Sequence, residues 1–201
     1  MHSRRFSDAD ALCRFLGSEY ASCYSKADAL PQPFCLDRGR VRAIVLGTDP
    51  SNPDGTRLQH VFGLGGGDFR YFRSIWANLA SIGLSLDELY VQNLCRNYSP
   101  HVTSENRSWS EIARLWVPIL QEELDDLFDK RVPVLMTAWD IYPVLAVKPR
   151  PVRPSHFYEQ IEFIDPIENH LGRTTAALFR HPEYSLDKWS RYSEALSSLL
   201  T

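Results

Sequence analysis

"RVRAIVLGTDPSNPDG", residues 40–55, decides the fold. Its first half is a short apolar run of Val, Ile and Leu, the pattern of a strand buried on both faces. Its second half breaks into a turn that carries Asp49, Pro50, Pro53 and Asp54. Three more runs of the same kind come later in the chain: "ELYVQNL" (88–94), "VPVLMT" (132–137) and "TTAALFR" (174–180). The segments between them carry helical spacing. In "RYFRSIWANLASIG" (70–83), Phe72, Ile75, Trp76 and Leu79 share one face, and Gly83 supplies a stop. "SWSEIARLWVPILQEELDDLF" (108–128) opens on the capping-box spacing Ser108–Glu111 and contains Pro118, where a kink is expected. "SLDKWSRYSEALSSLL" (185–200) reads as a closing amphipathic helix capped by Ser185, and "SDADALCRFLGSEYAS" (7–22) as a helix.

Strands alternating with helices predict a three-layer α/β/α fold around a central, mainly parallel four-stranded sheet. The chain of 201 residues, 44% hydrophobic and 12% aromatic, fits one such domain over 1–201, with the N-terminal 36 residues packed onto the same core. A net charge of −3 excludes the global basic field of a nucleic-acid coat protein, so any nucleic-acid contact has to be local. The opening "MHSRRFSDADALCRFL" has no apolar run of signal-peptide length, and no stretch approaches the roughly 20 apolar residues of a membrane span. The expectation is a soluble cytoplasmic protein with no membrane partner. Cys13, Cys23, Cys35 and Cys95 are scattered without a Cys-x-x-Cys or finger-like His spacing, which predicts thiols rather than a metal site or a disulfide framework.

In a parallel sheet, ligands sit beyond the carboxyl ends of the strands, so the residues just past each strand end carry the functional signal. Gly47, Thr48, Asp49, Pro50 and Ser51 come at the end of the first, Asn93 ends the second, and His181 and Pro182 come after the last. A carboxylate, an amide and an imidazole are therefore expected on one edge of the sheet. Taken singly, Asp before Pro is ordinary turn chemistry and His before Pro an ordinary turn residue.

The order of these segments resembles the uracil-DNA glycosylase superfamily. "GTDPSNPDGTRLQHVF" (47–62) is similar to the family's Gly-x-Asp-Pro turn and the loop that ends in Phe. "LYVQNLCRNY" (89–98) resembles its strand ending in Asn, and "ENRSWSEI" (105–112) the lead into its next long helix. "PVLMTAWDIYPVL" (133–145) is similar to its third strand and helix, and "LFRHPEYSL" (178–186) to its His-Pro motif. The resemblance implies hydrolysis of the N-glycosidic bond of uracil or a related damaged pyrimidine in DNA, by a monomer that uses no cofactor and no metal. Such a reaction places positive charge on the sugar and negative charge on the departing base.

On that reading Asp49 acts on sugar or water, and His181 donates to the departing base. Asn93 reads the pyrimidine edge, Phe62 stacks on the flipped base, and Gly47, Thr48, Pro50 and Ser51 complete the substrate pocket. Tyr184 and Leu186 would probe the duplex, and Lys148, Arg150, Arg153 and Arg180 would contact phosphates. Two positions depart from the family pattern. Ser51 stands where uracil-specific members carry a bulky aromatic that excludes 5-substituted bases, and Glu183 stands where the family has a small polar residue. Two other readings are open: an inactive module of the same fold that binds a nucleobase, nucleotide or nucleic-acid end, and a small-molecule hydrolase that holds a phosphate on "GLGGGDFRYF" (63–72). The glycines Gly63 to Gly67 of that stretch otherwise read as a turn, with Asp68 capping a helix that begins near Phe69.

Overall fold

The computed structural model of the chain describes residues 6–27, 29–51, 55–65 and 72–201. Six α-helices are assigned in it: α1 (Ala9–Glu19), α2 (Arg73–Ser81), α3 (Trp109–Leu127), α4 (Tyr142–Leu145), α5 (His156–Glu159) and α6 (Ser190–Leu199). The four expected strands are present, each shorter than its apolar run: β1 (Ala43–Gly47), β2 (Leu89–Asn93), β3 (Val134–Met136) and β4 (Thr175–Ala177). All pair in parallel, in the order β2-β1-β3-β4, and every residue in them is buried. This is a three-layer α/β/α fold, and its buried apolar side chains form a continuous cluster.

The register sets which face each strand residue serves. Tyr90 and Gln92 point from β2 toward α3, where both hydrogen-bond Glu123, and α1 and α4 pack against α3 in the same layer. Gly47 and Asn93 are register partners on the opposite face. That face is covered by Phe62, whose ring meets Phe72 at the start of α2 with centroids 5.4 Å apart. Both sheet edges are closed by short antiparallel bridges, Phe34 on Val91 and Ile164 on Thr175, which satisfies edge groups that would otherwise invite pairing with another chain.

Several helix boundaries differ from the sequence expectation. Ser108 stands at the N-cap of α3, but its backbone is already helical (φ −90°, ψ 0°) and its hydroxyl makes no cap bond, so no capping box forms with Glu111, while Asn106 Oδ1 accepts from the Ser108 N–H at 3.1 Å. A capping box forms instead at Ser85–Glu88, ahead of β2. Pro118 lies inside α3 without ending it. The closing segment is two pieces: a 3-10 turn at Leu186–Lys188, then α6, whose N-cap is Trp189 rather than Ser185. Helix α2 opens at Arg73, and Asp68 and Phe69 lie outside the described residues. Among the described residues no helix is long and apolar enough to cross a membrane.

Candidate functional site

Gly47 ends β1, and the space above it is the foundation of the site. A Cβ at this position would lie 2.3 Å from Asn93 Oδ1 and 2.4 Å from Phe62 Cζ, so only a strand residue without a side chain lets the amide and the ring close over the strand end. Phe62 is held there at φ 57°, ψ 11°, a left-handed conformation that is costly for a bulky residue. Strain of that kind, roughly 1–3 kcal/mol, is retained where the surrounding structure fixes it, and here the fixing contacts are Gly47 beneath the ring and Phe72 beside it.

Over this floor opens a cavity of about 260 Å³ whose lining includes Thr48, Asp49, Pro50, Ser51, Phe62 and Asn93, all six drawn from the turn and strand ends singled out in the sequence. Sites for drug-sized ligands run to roughly 300–1,000 Å³, so this one is sized for a single small ring system. The Asn93 side-chain amide has no hydrogen-bond partner among the described residues, although the residue is only 3% exposed. It presents an unspent donor and an unspent acceptor to whatever enters.

Asp49 is gripped from one side. Thr103 donates its hydroxyl to Asp49 Oδ1 at 2.5 Å and lies 3.1 Å from the Thr48 hydroxyl. The other carboxylate oxygen, Oδ2, is buried and has no partner among the described residues; the indole N–H of Trp109 is likewise buried and unpartnered. Burial pushes the Asp49 carboxyl above the ordinary carboxylate range, against opposing contributions from the Thr103 and Thr48 hydroxyls, the Trp109 N–H and the charge of Arg180. Trp109 therefore stands close enough to favour the carboxylate without closing a hydrogen bond. Orphaned buried polar atoms are rare in folded proteins, and two next to a cavity mark a place built for something other than packing.

Arg180 lines the same cavity from the end of β4, exposed, its backbone tied to Thr137 O at 3.0 Å. Its guanidinium makes no ion pair among the described residues. The neighbouring His181 does not join it. Its side chain is 70% exposed and is not part of the lining, with Nδ1 accepting from the Glu183 N–H at 3.3 Å.

The structure also relocates most of the residues expected to touch DNA. Leu186 is 2% exposed and donates its N–H to Asn78, so it belongs to the core and not to a probing loop. Tyr184 is stacked on Tyr158, with centroids 5.1 Å apart. Lys148 and Arg150 line a separate cavity of about 430 Å³ beside Glu162 and Glu168. Arg150 is ion-paired to Glu162, and Arg153 to Glu159 at 3.0 Å. Sequence reasoning missed Thr103, Trp109 and Tyr98, which come to the site from the loop after β2 and the start of α3. No periodicity flags a loop residue, although the Asn-rich, Pro-containing stretch after a parallel strand is where such residues are to be sought.

Gly65 is the last described residue of the glycine stretch, with φ 87°; the rest of it lies outside the described residues. All four cysteines are free thiols. Among the described residues no group of three or more His, Cys, Asp or Glu is placed to hold a metal ion. Comparison with protein-family models gives no match for this chain, and comparison with curated proteins gives none either.

Proposed function

We propose that the chain is a DNA glycosylase of the uracil-DNA glycosylase type, acting on uracil or a related damaged pyrimidine. The observation that carries this is the buried, half-satisfied carboxylate of Asp49 in one small cavity with the open amide of Asn93 and the ring of Phe62. An amide with a donor and an acceptor free matches the alternating edge of a pyrimidine. A ring held in a strained backbone supplies a stacking face, worth roughly 1–3 kcal/mol per base. A carboxylate at this cavity would favour a cationic sugar, in surroundings dry enough to make its charge count.

Incubation with oligonucleotides carrying uracil, a thymine mismatch or hydroxymethyluracil, followed by alkaline cleavage of abasic sites, tests the reading. Cleavage that depends on Asp49 is expected. No cleavage of any substrate at enzyme excess refutes it.

A second reading is favoured by one observation. His181, the expected donor to the departing base, faces solvent, so the cavity as it stands holds a base without a histidine to stabilise its departure. That arrangement suits a module which binds a nucleobase or nucleic-acid end without cutting. His181→Ala separates the two: a rate loss of about 10²–10⁴-fold, the range for positioned proton donors, means that the loop closes on the substrate. An unchanged rate removes His181 from the mechanism.

A further inference from the structure

One arginine lines the cavity, and a second is held over a ring that lines it. Arg180 follows β4, one edge strand, and lines the cavity directly. At the other edge strand, β2, the chain runs on to Tyr98, which also lines the cavity, and the guanidinium of Arg57 lies over the Tyr98 ring, 4.6 Å from its centroid. Tyr98 cannot turn away, because its hydroxyl accepts from Leu58 N at 2.8 Å and donates to Leu58 O at 3.2 Å. Arg57 is held in turn by a hydrogen bond from its Nη2 to Lys26 O at 2.8 Å, yet the residue stays exposed, between two residues, Thr56 and Leu58, that line the cavity.

We propose that a nucleic-acid strand crosses the carboxyl edge of the sheet from Arg57 to Arg180, each taking one of the two phosphates that flank the nucleotide whose base enters the cavity. The proposal rests on the nucleobase reading of the cavity and adds the path of the strand. A stacked guanidinium is pre-organised for an anion, since its plane is fixed and the Lys26 carbonyl takes only one of its five N–H donors among the described residues. Two cations, one following β4 and one held over the residue that follows β2, suit a strand, which has a phosphate on either side of a nucleotide; a free mononucleotide has one phosphate and needs only one of them. With a net charge of −3, a local pair of this kind is what attraction of a polyanion requires.

The test is binding of a fluorescent single-stranded oligonucleotide that contains no excisable base, measured by anisotropy across a salt series. Removing one phosphate-binding cation lowers the slope of log K against log salt by about 0.7 for a single strand. Arg57→Ala and Arg180→Ala are each expected to lower it by about that amount, and the double variant by about twice as much. Arg150→Ala and Arg153→Ala are expected to leave it unchanged. Among the described residues the Arg180 side chain makes no hydrogen bond or ion pair that Arg180→Ala would remove, and Arg57→Lys keeps the charge while abolishing the stack, so a folding defect in Arg57→Ala does not hide the answer. Unchanged slopes in Arg57→Ala and Arg180→Ala overturn the proposal, as does a thymidine monophosphate that competes as well as the oligonucleotide. Because no base is excised in this assay, failure of the strand path and failure of the glycosylase reading give separate results.

Discussion

Replacing Gly47 by alanine is the sharpest perturbation of this site. The new methyl group would stand 2.3 Å from Asn93 Oδ1, 2.4 Å from Phe62 Cζ and 2.8 Å from Phe62 Cε2. Bringing the two nearest of these out to a van der Waals contact of 3.4 Å requires the amide and the ring each to retreat by about 1 Å. Neither is loose: Asn93 is buried in the sheet end, and Phe62 leans on Phe72 from a backbone already in the left-handed region. Overpacking of this kind costs roughly 1–3 kcal/mol. For a chain of this size that lowers the melting temperature by about 2–4 °C for each kcal/mol. Misplacing a binding group by about 1 Å also costs on the order of 10²-fold in rate. Thermal unfolding read by near-UV circular dichroism, together with base excision, checks both effects. Phe62→Ala supplies the control: it removes the ring's share of the clash and leaves that of Asn93 Oδ1, so the double variant should lose less stability than the two single losses predict. A Gly47→Ala protein with unchanged melting temperature and unchanged activity, or a double variant that is strictly additive, would refute the close packing of ring and amide over the strand end.

Asp49→Asn is expected to lower excision by about 10²–10⁴-fold while leaving the fold intact. Burial raises the Asp49 pKa in the folded state, so the fold retains a proton there that the unfolded chain gives up. Its contribution to stability is full below the unfolded pKa and is lost as pH rises through the folded one. The asparagine variant should accordingly melt higher than the parent at neutral pH, with the gap closing in acid; a lower melting temperature near pH 7 contradicts this. Arg173 is fully buried, and its guanidinium binds the carbonyls of Leu124 and Phe128, each at 2.8 Å, and that of Asp129 at 2.5 Å, together with the Asp125 carboxylate at 3.0 Å. Truncation to alanine leaves the end of α3 unpaired and should cost about 3–5 kcal/mol, read as a shifted denaturant midpoint at unchanged slope. Ser51→Tyr narrows the cavity wall and should suppress excision of 5-substituted pyrimidines more than of uracil; equal effects on both would remove Ser51 from the specificity of the site.

The parallel sheet was legible because each strand is buried on both faces, and such strands leave continuous apolar runs. Asp49 and Asn93 were legible for a related reason: a strand end is a fixed address, and the register sets Gly47 beside Asn93 whatever the loops do. Loops give no such address. Ser108–Glu111 and Ser85–Glu88 have the same spacing, and only the second forms a capping box, because the decision lies in the backbone angles of the serine and not in the sequence motif. The post-β4 segment misled for another reason. Tyr184 and Leu186 come soon enough after His181 to suggest a projecting loop, yet Tyr158 and Asn78, distant in sequence, draw both inward. The basic stretch 147–156 could not be read alone, because the glutamates that pair with Arg150 and Arg153 come from the segment just beyond it.

The two readings of the site part at the ionisation of Asp49. Desolvation favours the neutral acid, while the Thr103 and Thr48 hydroxyls, the Trp109 N–H and the charge of Arg180 favour the carboxylate. A base that fills the cavity removes the remaining water and strengthens both sides, since desolvation penalises the charge and the low dielectric enlarges every attraction to it. What tips the balance toward the carboxylate is positive charge appearing nearby, and bond cleavage places that charge on the sugar. A neutral ligand held at rest offers no such charge, so a pure binding module would gain from an asparagine at this position and an enzyme would not. On the glycosylase proposal, the acid at the dry end of β1, with one oxygen left unpaired among the described residues, answers that developing cation.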